Sequence, residues 1–300
     1  MNRMMSIIIY HGFKVESYIK KGDLKVICLS RQIMESEFEK YIDKIFKFPE
    51  VKNAKVRDVI IDRDNKDNTI KQAFDIGYHD CYSDIDLSIM VRLPKNESIS
   101  VDEYMKQLGR FGVNEDTALG WAFVPENKMY RIIFKNGMRY DFGFDFEYVE
   151  EDLLNIEIKN SQDNKVYDEI QNDYWPIENI NRFWFVQIQA LGKLYRKDYL
   201  ISSHLANMNC NETLVMQMVL RDIKYGTNHH RYGYSEELEY VKYIGKSQYK
   251  TDDITFNRIS EHIYAAALAY DRLAKEFYPE YKERSSTLFE IWDYYHKNIF

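Results

Sequence analysis

The apolar residues of this chain change their period once, near residue 155, and that change limits the folds open to it. Before it, the pattern is that of strands. Met129–Lys135 (MYRIIFK) and Met138–Tyr148 are separated by Asn136-Gly137. In the second run Tyr140, Phe142, Phe144, Phe146 and Tyr148 share one face, and Arg139, Asp141, Gly143, Asp145 and Glu147 share the other. Asn-Gly between two such runs predicts a hairpin with a type I′ turn, because that turn needs positive φ at both central residues. From about Asn155 the period is 3.6. Ile180–Arg196 places Phe183, Val186, Ala190 and Leu194 inward, with Gln189, Lys193, Arg196 and Lys197 on a flanking polar stripe. Further helices are expected around 198–208, 212–225, 235–245, 255–277 and 286–297. The prediction is an α/β (α+β) domain with a mixed sheet over 1–155, followed by an all-α helical bundle over 156–300.

Within the first part, SIIIY and LKVICLS could be strands flanking Lys20-Lys21-Gly22-Asp23, and residues 1–33 could be a peripheral extension. A helix opens at Met34, with Phe38, Ile42, Ile45 and Phe46 on one face, and Pro49 ends it. Val56–Ile61 reads as one strand and Asp62–Asn68 as a polar turn-rich segment. Ser100–Phe111 reads as a helix. The three cysteines, Cys28, Cys81 and Cys210, are far apart with no Cys-x-x-Cys pair, which argues against a disulfide framework or a zinc site and for a reducing cytoplasm. The N-terminal apolar run is too short for a signal peptide or a membrane span.

The stretch that carries chemistry is Gly77–Val91 (GYHDCYSDIDLSIMV), a Gly-bearing polar loop running into a strand. Residues i and i+2 of a strand lie on one face, about 6.5–7 Å apart. Asp84 and Asp86 therefore point one way with Ser88 and Met90, while Ile85, Leu87, Ile89 and Val91 point into a core. Two neighbouring carboxylates repel unless a cation lies between them, and hard oxygen ligands suit Mg²⁺. Asp141, on a later strand, could join them by antiparallel or mixed pairing. Three such carboxylates would serve a two-metal site, with the third completing the ligand set or taking a proton. A net charge of −7 gives no basic footprint for nucleic acid.

At these residues the chain resembles the nucleotidyltransferase superfamily of the DNA polymerase beta type. The run is Asp80, Tyr82, Ser83, Asp84, Ile85, Asp86 and Leu87, with Arg139-Tyr140-Asp141 after Asn136-Gly137 as the third-carboxylate block. Phe183-Trp184-Phe185-Val186 through Lys193 to Leu194-Tyr195-Arg196-Lys197 is similar to a helix of the aminoglycoside 6-adenylyltransferases. The resemblance covers roughly residues 70–230. It implies a nucleotidyltransferase domain before the helical one, with the active cleft between them. Asp84, Asp86 and Asp141 are then catalytic and metal-binding, with two Mg²⁺ ions. Gly77, Ser83, Lys193 and Arg196 would be on the nucleotide, with ATP as donor. The family's Gly-Ser loop would fall, by counting, on Gln72-Ala73, where neither residue is kept.

The implied function is an Mg-dependent transfer of AMP from ATP to a hydroxyl of a small acceptor, an aminoglycoside antibiotic first. An acidic run through Asp145, Glu147, Glu150, Glu151 and Asp152 would suit a polyamine sugar, with Asp145, Glu147, His230 and Arg231 as candidate acceptor contacts. A lincosamide acceptor is the near alternative. A nucleotide-binding or regulatory protein without turnover is the alternative that Gln72-Ala73 motivates. A sugar-nucleotide glycosyltransferase using Asp-x-Asp is a third, disfavoured by the helical second half and the Asn-Gly hairpin carrying Asp141. The expected partners are a nucleoside triphosphate and a small molecule, with no nucleic acid and no membrane, in the cytoplasm.

Overall fold

The computed structural model describes residues 5–10, 13–18, 31–95, 101–150, 172–226 and 236–299. The chain forms two compact units, Met1–Val166 and Tyr167–Phe300. The expected boundary at 155/156 lies in 151–171, outside the described residues. So does LKVICLS. The strands β1 (Met5–Tyr10) and β2 (Phe13–Tyr18) pair with each other, antiparallel.

The rest of the first unit is built on a mixed six-stranded sheet. Its elements run α1 (Arg31–Ile45), β3 (Val51–Val56), β4 (Val59–Asp62), α2 (Lys66–Gly77), β5 (Ile85–Pro94), α3 (Val101–Met105), β6 (Ala118–Val124), β7 (Met129–Phe134) and β8 (Arg139–Val149). The strand order is β4-β3-β5-β8-β7-β6, with β5 and β8 parallel and every other neighbour antiparallel. An α+β class follows.

Alternation decides which face is covered. Ile85, Leu87, Ile89 and Val91 of β5 are all buried, whereas Asp86 is exposed and Ser88, Met90 and Arg92 are half-buried. On the apolar face α1 buries Met34, Phe38, Ile42 and Ile45, and its Tyr41 ring lies 4.8 Å from Tyr140. Phe74 of α2 meets Phe38 at 5.7 Å. Tyr104 and Phe111 pack against Phe144. Each large apolar side chain so buried stabilises the unit by about 1.5–3 kcal/mol. The polar face keeps its carboxylates.

Several local expectations need correction. Val56–Ile61 is not one strand but the tip of the β3–β4 hairpin, where Val56 pairs with Val59 around a two-residue turn. Arg57 takes φ 50° there, a position usually given to Gly. Asp62–Asn68 is not a turn: a 3₁₀ turn over Arg63–Asn65 leads into α2, which buries Ile70, Ala73, Phe74 and Gly77 at helical spacing. The helix expected over Ser100–Phe111 is two pieces, α3 and a 3₁₀ turn at Leu108–Phe111. The β7–β8 hairpin is present, but among its loop residues only Gly137 has positive φ, so its turn is not type I′. Gly137 N–H bonds Phe134 O and Phe134 N–H bonds Met138 O, the pattern of a three-residue loop closed by a left-handed glycine.

The second unit contains α4 (Ile177–Tyr195), α5 (Tyr199–Tyr225), α6 (Ile254–Phe277) and α7 (Ser285–Ile299). The two helices expected over 198–208 and 212–225 are one, because Asn209 is buried in its middle and donates Nδ2 to Phe183 O at 3.3 Å. The helix expected at 235–245 is a 3₁₀ turn, Glu239–Tyr243. Aromatic density here is packing: Phe183 stacks on Tyr270, and Trp184 Nε1 donates to Tyr281 Oη, which donates to buried Asp271. Asp271 also accepts the N–H groups of Arg284 and Ser285 at the start of α7, satisfying donors that a helix leaves open. This unit is an aromatic helical core.

Candidate functional site

The loop between α2 and β5 folds on itself. Ser83 Oγ accepts from the N–H groups of Asp80 (3.1 Å) and His79 (3.3 Å) and donates to Asp80 Oδ1 at 3.0 Å. Asp80 Oδ1 also accepts Tyr82 N–H at 2.9 Å. Such side-chain bonds to nearby backbone substitute for a regular turn. From β8 the buried Arg139 donates Nη1 to Tyr82 O at 3.0 Å. Asp84 is thus delivered, exposed, to the mouth of β5 from a loop held at both ends.

Two strands then set Asp86 and Asp141 side by side, and a third brings an arginine to them. In the parallel β5–β8 pair Asp86 sits opposite Asp141, and in the antiparallel β7–β8 pair Arg131 sits opposite Asp141. Neighbouring strands are about 4.8 Å apart, so the two aspartates are adjacent on one face. Asp141 is only 8% exposed. Burial pushes its carboxyl up to about 6; Arg131 pulls it back down, and the nearby Asp84 and Asp86 push it up. Arg131 Nε lies 3.3 Å from Asp141 Oδ2. Of the three carboxylates singled out in the sequence, Asp86 is the register partner of Asp141, and Asp84 is near enough to raise the Asp141 carboxyl.

Along the same face, a Cβ added at Gly143 would meet nothing within 4 Å among the described residues, so no neighbour packs on that position beside Asp141. Asp145 is exposed and accepts from Ser88 Oγ at 2.6 Å. Glu147 is held by Lys52 at 2.9 Å and by Arg92 at 3.5 Å, and the Lys52 hydrogen bond keeps its carboxyl below the usual range. Glu150 pairs with Lys95. Two of the five residues of the expected acidic run, Glu147 and Glu150, are thus matched by cations, and Glu151 and Asp152 lie outside the described residues.

The other predicted residues fall elsewhere. Gly77 ends α2 in the interior, where an added Cβ would lie 3.0 Å from Val56 Cγ1 and 3.1 Å from Ile85 Cγ2. Gln72 and Ala73 are inside α2, Ala73 fully buried, so the counted phosphate-loop position is a helix turn and not a loop. Lys193 and Arg196 belong to the second unit, Lys193 3.6 Å from Asp198. His230 and Arg231 lie outside the described residues. Burial lifts the thiols of Cys81 and Cys210 to about 11, far from thiolate chemistry. Sequence reading did not single out Arg131, and it took Arg139 only as part of a motif; the roles of both follow from strand register.

Among the described residues no three His, Cys, Asp or Glu side chains enclose a metal-sized space as they stand. Mg²⁺ is usually held by one or two carboxylates plus substrate phosphates and water, not by an all-protein cage. Exposed Asp84 and Asp86 beside Asp141 fit that donor chemistry. A hollow of about 470 Å³ lies in the second unit, lined by residues including Leu214, Met218, Arg221 and Leu238, and includes none of the predicted site residues. Asn211, Gln217 and Glu236 complete the polar part of its lining. Among the described residues no helix is long and apolar enough to cross a membrane. No protein-family model matches the chain, and no curated protein matches it.

Proposed function

We propose that the chain is an Mg-dependent nucleotidyltransferase that moves AMP from ATP to a hydroxyl of a small acceptor, an aminoglycoside by the resemblance of its α4 segment. One observation carries the reading: Asp86 and Asp141 are register partners on parallel strands, with Asp84 at the mouth of the same strand. Asp84 and Asp86 would hold Mg²⁺, with Asp141 as a further ligand or as the base. Bound there, the metal would neutralise triphosphate charge and make the acceptor hydroxyl easier to deprotonate. Asp141, lifted to about 6, is suited to take that proton near neutrality. The hydroxyl oxygen bonds to the α-phosphorus as the bond to pyrophosphate breaks. No described residue packs on Gly143, which gives an acceptor room to approach.

The test is incubation with ATP, Mg²⁺ and either streptomycin or lincomycin, reading pyrophosphate release and a +AMP mass on the acceptor. Asp141→Asn should lower the rate by about 10²–10⁴-fold, as loss of a general base does. Asp86→Asn should abolish Mg-dependent release. Unchanged release in Asp86→Asn refutes the assignment.

A further inference from the structure

Two arginines of β7 and β8 lie on the carboxylate face beside Asp141, and they are held very differently. Arg139 is 7% exposed and bonded to a backbone carbonyl, so its guanidinium belongs to the frame. Arg131 approaches Asp141 with Nε 3.3 Å from Oδ2, and the two make no bidentate hydrogen-bonded pair. A lasting Arg–carboxylate pair is commonly bidentate. Among the described residues no other hydrogen bond or ion pair holds Arg131, and its side chain is 38% exposed. It is a cation resting against Asp141, not locked to it.

Charge balance gives this looseness a purpose. With Arg131 against Asp141, the uncompensated charge of the row is that of Asp84 and Asp86, enough for one divalent ion. Recruiting Asp141 as a ligand brings Arg131 and metal into competition for one carboxylate. A displaced guanidinium on that face would be a poorly paired cation, and phosphate oxygens are its natural partner. We propose, resting on the nucleotidyltransferase reading, that Arg131 is an exchangeable counter-ion. It screens Asp141 while no metal is bound and passes to a phosphate oxygen of the nucleotide when Asp141 turns to the metal.

Exchange predicts effects of opposite sign in one variant. Full-length wild type and Arg131→Gln are compared for Mn²⁺ alone, by the free-ion paramagnetic resonance signal, and for Mg-ATP, by calorimetry. Arg131→Gln should bind Mn²⁺ several-fold more tightly and Mg-ATP about tenfold more weakly, the loss typical of one charged hydrogen bond. Arg131→Lys, which keeps the charge without the fork, should leave Mn²⁺ binding near wild type and guards against a folding defect in the glutamine variant. A merely structural arginine would shift both affinities the same way, and that result, or no change in either, overturns the exchange. Wild type that binds neither Mn²⁺ nor Mg-ATP overturns the nucleotidyltransferase reading, and the exchange with it.

Discussion

Asp141→Asn should stabilise the fold at neutral pH. Asp141 is buried, and its carboxyl is raised from 3.8 to about 6, chiefly by desolvation. A carboxyl whose folded pKa is raised favours the protonated form in the fold. Its contribution is fully present below the unfolded value and is lost as pH rises through the folded value. At 1.36 kcal/mol per pH unit, the loss is about 3 kcal/mol. About 2 kcal/mol of it falls between roughly pH 4.5 and 7.5. Asparagine keeps the shape and cannot ionise, so that slope should vanish in the variant. Arg131's side chain is 38% exposed, so water offsets part of the loss of its anion. Thermal melts across this pH range are the assay, with hydrogen exchange on peptides from β5 and β8 assigning the effect to the first unit. For a unit of this size 3 kcal/mol corresponds to about 6–12 °C. Asp141→Asn and wild type losing stability in parallel across the range would refute the argument, because the ionisation penalty would then lie elsewhere.

Two further substitutions test the frame of the site. Gly77→Ala should cost about 1–2 kcal/mol despite the better helix former, since its Cβ presses on Val56 and Ile85, as overpacked cores do; an unchanged urea midpoint would show that the contact relaxes freely. Arg139→Lys should cost about 1–3 kcal/mol by losing the buried Nη1 bond to Tyr82 O, and should speed amide exchange over 80–84. Exchange there at the wild-type rate would remove Arg139 as the residue that positions Asp84.

What could be read from the sequence depended on whether the controlling interaction was local. Alternation fixed the faces of β5 and β8, so Asp84, Asp86 and Asp141 could be singled out as one set. The pairing that makes Asp86 a neighbour of Asp141, and Arg131 of Asp141, depends on register between distant strands, and Arg131 was missed for that reason. The β3–β4 turn was invisible because Arg57 occupies a conformation that ordinarily announces itself with Gly or Asn. Helix α5 was expected as two pieces, around 198–208 and 212–225, and the bond of buried Asn209 to the Phe183 carbonyl, a contact between helices, shows how a polar residue is tolerated in its middle. Gly77 was read as a loop residue near phosphate, when its lack of a side chain is needed for close packing against Val56 and Ile85.

The parallel β5–β8 pair also bears on the order of events as the chain folds. A parallel pair cannot close through a tight turn, and here the chain builds α3, β6 and β7 between its two strands. Contacts separated this far along the chain form slowly, because loop closure must precede their reward. Asp86 and Asp141 therefore become neighbours only when that slow pairing is complete. On the proposed nucleotidyltransferase reading, a gain of Mg²⁺ affinity in refolding would report that late closure, after helices and hairpins have already given their spectroscopic signal.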